Sequence, residues 1–176
     1  GYVVNTFDGL RKALTGTSND FTTDIDLSDS TKMDSNANAF VDQLDQLTHM
    51  VDGGASLLLM NTAMLLKVRA AARRAGYYDR KKDDFGRAVE YFGDIPIMDA
   101  GMYYNGTKSV DVIDTSTPST SAAGTSSIYA VNIALDGFHG ISPTGTGVIN
   151  SYMPDLKAPG AVKKGEVELV AGVVLK

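Results

Sequence analysis

Cysteine is absent from the 176 residues, so the chain has neither a disulfide framework nor a thiolate metal site, as suits a reducing cytosol. A basic surplus is also missing. Sixteen Lys and Arg stand against 21 Asp and Glu, giving a net charge of −5, which argues against a dedicated nucleic-acid binder. No apolar run approaches the ~20 residues that a membrane-spanning helix needs. Histidine, the usual acid–base residue near neutral pH, occurs only twice. His49 and His139 each lack a second histidine or a carboxylate at ligand spacing, so a structural role is the expectation for both.

Catalytic and cofactor patterns are missing as well. There is no Walker phosphate loop, no Gly-x-Ser-x-Gly elbow and no His-Glu-x-x-His. The stretch Gly145-Thr-Gly147-Val-Ile-Asn150 lacks the third glycine of a dinucleotide fingerprint and is read as a turn. Asn105-Gly106-Thr107 is formally a glycosylation sequon, which carries little weight without a visible secretory signal. No cofactor and no metal is expected.

What is present is an average globular composition, 43% hydrophobic and 21% charged, with length for one ordinary core or two linked lobes. Phe7-Asp8-Gly9-Leu10 opens a short helical stretch through Leu14, closed by Gly16. Residues 17–36 are polar and read as a surface loop. Phe40, Leu44, Leu47 and Val51 recur at four, three and four, which predicts an amphipathic helix over 38–51, started by Asn36 or Asn38. Ala55 to Met60 reads as a strand buried on both faces. Asn61-Thr62 caps a second helix carrying Leu65, Val68, Ala72 and Ala75, and Gly76 ends it.

Arg87 to Phe92 and Ile95 to Asp99 read as strands about a Gly93-Asp94 turn, with Pro96 placing the second at an edge or starting it late. Residues 115–127 are a low-complexity loop. Ile128 to Leu135 reads as a further strand, a glycine-rich stretch runs on before Val148 to Met153, and Gly165 to Leu175 reads as a final long strand. The plan is mixed α+β without an internal repeat. Gly1 and Lys176 do not read as natural termini, so a piece of a longer chain is expected.

Two charged groups stand out. Asp24, Asp26 and Asp29 form an acidic cluster, but a calcium loop counted from Asp24 would need glycine and glutamate where Asp29 and Ser35 stand. A solvated acidic loop is the expectation. Seven of the sixteen basic residues lie between 67 and 82: Lys67, Arg69, Arg73, Arg74, Arg80, Lys81 and Lys82. They flank Tyr77 and Tyr78 just past the second helix. A solvated helix face, a subunit contact and a nucleic-acid patch are the three readings; Arg and Tyr favour the second, and the acidic total opposes the third. The two groups are opposite in charge and are candidates to meet across subunits.

Leu57-Leu-Leu-Met-Asn61, then Leu65-Leu-Lys-Val-Arg-Ala-Ala-Ala-Arg-Arg-Ala-Gly-Tyr-Tyr78, then Phe85 to Gly101 with its Gly-Asp-Ile-Pro-Ile-Met-Asp-Ala-Gly run, follow one another in order. Asn5-Thr6-Phe7-Asp8-Gly9-Leu10 precedes them, and Ser127-Ile-Tyr-Ala-Val131 with its glycine-rich continuation follows. This succession resembles the major capsid proteins of tailed bacteriophages. The resemblance implies the Hong Kong 97-type capsid fold, with residues 1–10 leaving a peripheral domain, 11–155 building an axial domain and 156–176 returning as a peripheral strand.

It further implies a non-enzymatic subunit that assembles with copies of itself into pentamers and hexamers, within a virion built in the bacterial cytoplasm. Scaffolding protein and packaged DNA would be indirect partners, and no membrane would be involved. The family's N-terminal arm, extended loop and spine helix are not in this sequence, so the chain alone is expected to be mainly monomeric. An encapsulin-type nanocompartment shell is the related alternative. A small carboxylate-dependent hydrolase is the alternative of another class, and it requires two acids converging in a pocket.

Overall fold

The computed structural model describes residues 9–23, 25–76, 79–82, 88–115, 124–143, 145, 147–154, 156–157 and 160–175, with 79–82 and 88 described in backbone only. The chain divides into two compact units. One comprises residues 18–133, the other residues 1–17 with 134–176. The class is α+β, as the residue patterns indicate.

Two helices and a five-stranded sheet make up the larger unit. Helix α2 runs Ser30–His49, strand β1 Leu57–Met60 and helix α3 Thr62–Ala75. Strands β2 (Asp79–Lys82), β3 (Ala88–Phe92), β4 (Ile95–Asp99) and β7 (Tyr129–Val131) complete the sheet in the order β2-β3-β4-β1-β7. Only β1 and β4 pair in parallel, with Leu58 opposite Ile97; every other pairing in this sheet is antiparallel. A hairpin of β5 (Met102–Tyr104) and β6 (Ser109–Asp111) follows β4.

The core forms where the helices cover one sheet face. Val41 and Leu44 of α2, Val68 of α3, Leu58 and Met60 of β1 and Phe92 of β3 are buried together. A second cluster of Met33, Ala37 and Ala71 closes the helix–helix seam. Small residues at Ala37 and Ala71 let the two backbones approach. Leu58 and Met60 are 0% exposed, whereas Leu57 and Leu59 are only half-buried. The continuous apolar run of β1 is therefore buried on one face and not on both, because the helices cover one side.

Several sequence expectations need correction. Helix α2 starts at Ser30, eight residues before the expected start at Asn38, because Asp29 caps it: its carboxylate accepts from the Lys32 amide at 2.9 Å. Asn36 and Asn38 lie inside the helix, and Asn36 Nδ2 instead donates to the Asp26 carbonyl at 2.9 Å. The segment 17–36 is thus loop as far as Asp29 and helix from Ser30 on. Strand β4 is internal and not an edge. Proline is tolerated there because pairing with β1 starts only at Ile97, one residue after Pro96, so no ladder bond needs its missing N–H. The strand expected over 128–135 is limited to Tyr129–Val131.

In contrast, the α3 boundaries agree with the residues that predict them. Asn61 caps its start, and Gly76 ends it at φ +78°, a left-handed conformation that suits glycine. Gly93 likewise turns β3 into β4 at φ +59°.

The smaller unit holds helix α1 (Leu10–Leu14), strands β8 (His139–Ile141), β9 (Ile149–Tyr152), β10 (Glu166–Leu169) and β11 (Gly172–Val174). They form two separate two-stranded ribbons, β9 with β10 and β8 with β11. The single long strand expected over 165–175 is therefore two strands. Each has a different partner, and the chain leaves the first ribbon at Val170 and Ala171. The low-complexity loop lies largely outside the described residues, at 116–123.

Candidate subunit interface

The basic helix end does not behave as one surface. Lys67 Nζ turns along α3 and donates to the carbonyls of Leu27 and Ser28 at 2.6 and 3.0 Å. Arg69 Nε donates to Glu90 Oε2 at 2.6 Å, and Glu90 is only 6% exposed. Burying a carboxylate is affordable only with such a partner, so this ion pair belongs to the core of the larger unit. Arg74 Nε donates to Asp34 of α2, and its Nη2 lies 3.4 Å from Ser30 Oγ. Arg73 is exposed and has no partner among the described residues. Arg80, Lys81 and Lys82 stand on β2, while Tyr77 and Tyr78 lie outside the described residues.

Nor is the acidic group a spare surface. Asp24 lies outside the described residues. Asp26 accepts from Lys32 Nζ at 2.6 Å and from the Ser28 amide at 2.8 Å. These bonds, the lysine first, hold its carboxyl well below the usual carboxylate range, and Asp26 in turn raises the Lys32 ammonium. Asp29 is used as the α2 cap. Asp26 and Asp29 therefore fix the segment that opens α2, while Lys67 and Arg74 tie that segment and the first turns of α2 to α3. Of the named cations on α3, Arg73 is the one without a partner among the described residues.

Where β1 and β4 end side by side, Asn61 and Asp99 form a polar junction. Asn61 is fully buried; its Oδ1 accepts from the Met64 amide, and its Nδ2 donates to the Ile113 carbonyl and Thr115 Oγ1 at 2.9 and 3.0 Å. Asp99 accepts from Thr62 Oγ1 and from the Gly101 amide, and these two bonds lower its pKa in that order. The junction ties the segment after β4 to the first turn of α3. Sequence reasoning placed Asn61 only as a cap, because its two long-range bonds depend on residues more than fifty positions away.

The histidines are local. His49 Nδ1 lies 2.9 Å from the Asp45 carbonyl one turn earlier, and His139 Nδ1 lies 3.2 Å from the Gly137 carbonyl. Asn105, of the formal sequon, accepts from the Thr107 and Lys108 amides and so shapes the β5–β6 turn. Among the described residues, no three His, Asp or Glu side chains stand close enough to hold a metal ion. No helix among them is long and apolar enough to cross a membrane.

A further surface feature, not read from the sequence, is apolar. In the smaller unit, no described residue is buried. Ile149, Val167 and Leu169 of the β9–β10 ribbon are 67%, 76% and 66% exposed, and Leu135, Met153, Leu156 and Val162 are more so. Ile149 pairs with Leu169 across the ribbon, and Val167 lies two residues before Leu169, so the three share one face. In the larger unit, Met102, Tyr103 and Tyr104 of β5 are all mostly exposed. The alternation Glu-Val-Glu-Leu over 166–169 signals a strand with an apolar face, but not whether anything covers that face.

No protein-family model, no curated protein and no solved structure matches this chain.

Proposed function

We propose that the chain is a structural subunit of an icosahedral bacteriophage or prophage capsid, carrying the Hong Kong 97-type fold and working by assembly with its own copies. One observation carries the reading: a unit of some sixty residues with no buried residue among those described, yet with large aliphatic side chains displayed on two-stranded ribbons. Two strands alone are marginally stable in water, and apolar surface of this extent marks a face that a partner covers. A lattice of subunits provides such cover. The order of sequence motifs supplies the particular class.

In this reading the larger unit is the rigid body, built around the helix-covered sheet, and the displayed surfaces are contacts between neighbours. Closed rings need heterologous contacts, one patch meeting a different patch. Electron microscopy of the protein at high concentration, where association is favoured, tests it. Closed shells or rings of five and six subunits are the expected outcome, and nucleic acid inside the shells separates a capsid from a compartment filled with protein. A protein that forms no ordered assembly under any assembly condition would overturn the reading.

A further inference from the structure

The two outer strands of the molecule with the most lopsided charge are of equal length and opposite sign. Strand β2, Asp79-Arg80-Lys81-Lys82, ends the five-stranded sheet and pairs, among the described residues, with β3 alone. Its three cations and one anion give it a net charge of +2. Strand β10, Glu166-Val167-Glu168-Leu169, pairs, among the described residues, with β9 alone and is exposed at all four positions. Its two carboxylates give it −2, and neither has a partner among the described residues.

An outer strand presents a row of backbone donors and acceptors to whatever can pair with them, and natural proteins blunt such edges with charge to prevent indiscriminate pairing. Charge of one sign repels a like strand and admits an unlike one. β2 cannot add to β2, nor β10 to β10, but β10 can add to β2. We propose that copies of this chain join by strand addition, with β10 of one copy laid along β2 of the next. Backbone bonds supply the attraction of such a junction, and opposite charges across it fix the partner and the register.

The contact is heterologous, so each copy offers both halves and the chain of contacts closes into a ring or runs on. It also extends the ribbon bearing Ile149, Val167 and Leu169 into a wider sheet, which gives that uncovered unit a rigid neighbour. Four residues on each side make a small contact. The dilute chain is therefore monomeric, and association shows only on concentration. The proposal rests on the reading of the chain as a self-assembling subunit, but it needs no other part of a shell.

The test is a reciprocal charge swap followed by sedimentation velocity over a concentration series. One variant carries Glu166→Lys with Glu168→Lys, the other Lys81→Glu with Lys82→Glu; Arg80 is kept because it stands opposite the buried Glu90 in the sheet. The wild type is expected to associate reversibly and less at high salt. Each variant alone should associate about tenfold more weakly, and an equimolar mixture of the two should regain the wild-type affinity, because every junction in the mixture again joins opposite charges.

If the wild type associates and either variant does so equally well, or the mixture fails to recover, the strand contact is wrong while the assembly reading survives. A wild type that stays monomeric at every concentration also overturns the contact. Shells seen by microscopy would then still uphold the assembly reading. Should Lys81→Glu with Lys82→Glu fail to fold, the exposed ribbon variant and the salt dependence decide alone: unchanged association in both overturns the proposal.

Discussion

At the scale of single residues, the two polar side chains at the ends of β1 and β4 tie together segments of the larger unit that are far apart in sequence. Asn61 uses both ends of its amide, one as a helix cap and the other to hold the Ile113 carbonyl in a buried place. Asn61→Ala should destabilise by about 2–4 kcal/mol, the sum of a lost cap and a buried carbonyl left without its donor. Chemical denaturation with an unchanged slope checks this. Asp99 titrates below its ordinary value, since Thr62 and Gly101 donate to the charged form. A carboxylate with a depressed folded pKa contributes stability above its unfolded pKa of 3.8, and that contribution is lost as pH falls through the folded value. The stability difference between wild type and Asp99→Asn should therefore be full near neutrality and shrink below about pH 4. A constant difference down to acid pH would show that the carboxylate charge is not what matters.

At the scale of elements, α2 and α3 are joined by charge at one end and by small apolar residues along the seam. Removing the α2 cap by Asp29→Ala should cost about 1 kcal/mol and unwind the first turn, seen as faster amide exchange at Thr31 to Met33. Arg73 and Arg74 are adjacent in sequence, but they do different work. Arg74→Glu places a second anion beside Asp34 and should lower stability by about 1 kcal/mol, within the range of partly exposed ion pairs once repulsion is added. Arg73→Glu should change stability by no more than about 0.5 kcal/mol, because no described residue depends on it. If Arg73 contacts a neighbour, only assembly suffers in that variant, and light scattering of concentrated protein reads the loss. A joint reversal of both arginines would mix the two effects and decide neither.

At the scale of the whole molecule, the two units differ in how they can be stabilised. The larger one buries Leu58, Met60 and Phe92 beneath two helices, and a Leu58→Ala cavity there should cost about 2–5 kcal/mol. The smaller one has no comparable interior among its described residues. Hydrogen exchange should therefore show slow amides over 57–60 and 62–75, and fast ones over 149–152 and 166–169 in the monomer, with protection in the second set appearing on assembly. Equal protection of both sets in the monomer would mean that the ribbons are already covered.

Much of the larger unit was legible in the sequence because its signals are local. The cap at Asn61, the terminating Gly76, the turn at Gly93 and the apolar run of β1 all act through neighbours within a few positions. The periodicity of Phe40, Leu44 and Leu47 located α2 for the same reason, but its first turns are polar. There the helix persists because Asp29 caps it and α3 offers Ala71 to Met33 and Ala37. Charge behaved in the opposite way. Composition marked out a basic helix end and an acidic loop, yet the fold consumed Lys67, Arg69, Arg74, Asp26 and Asp29 in contacts within one chain, leaving Arg73 exposed. A side chain's valence is set by its identity, whereas its availability depends on which distant groups the backbone brings within hydrogen-bonding distance. The same distinction governs the ribbons: alternation determined that 166–169 is a strand with an apolar face, and only the tertiary arrangement decided that this face stays exposed among the described residues.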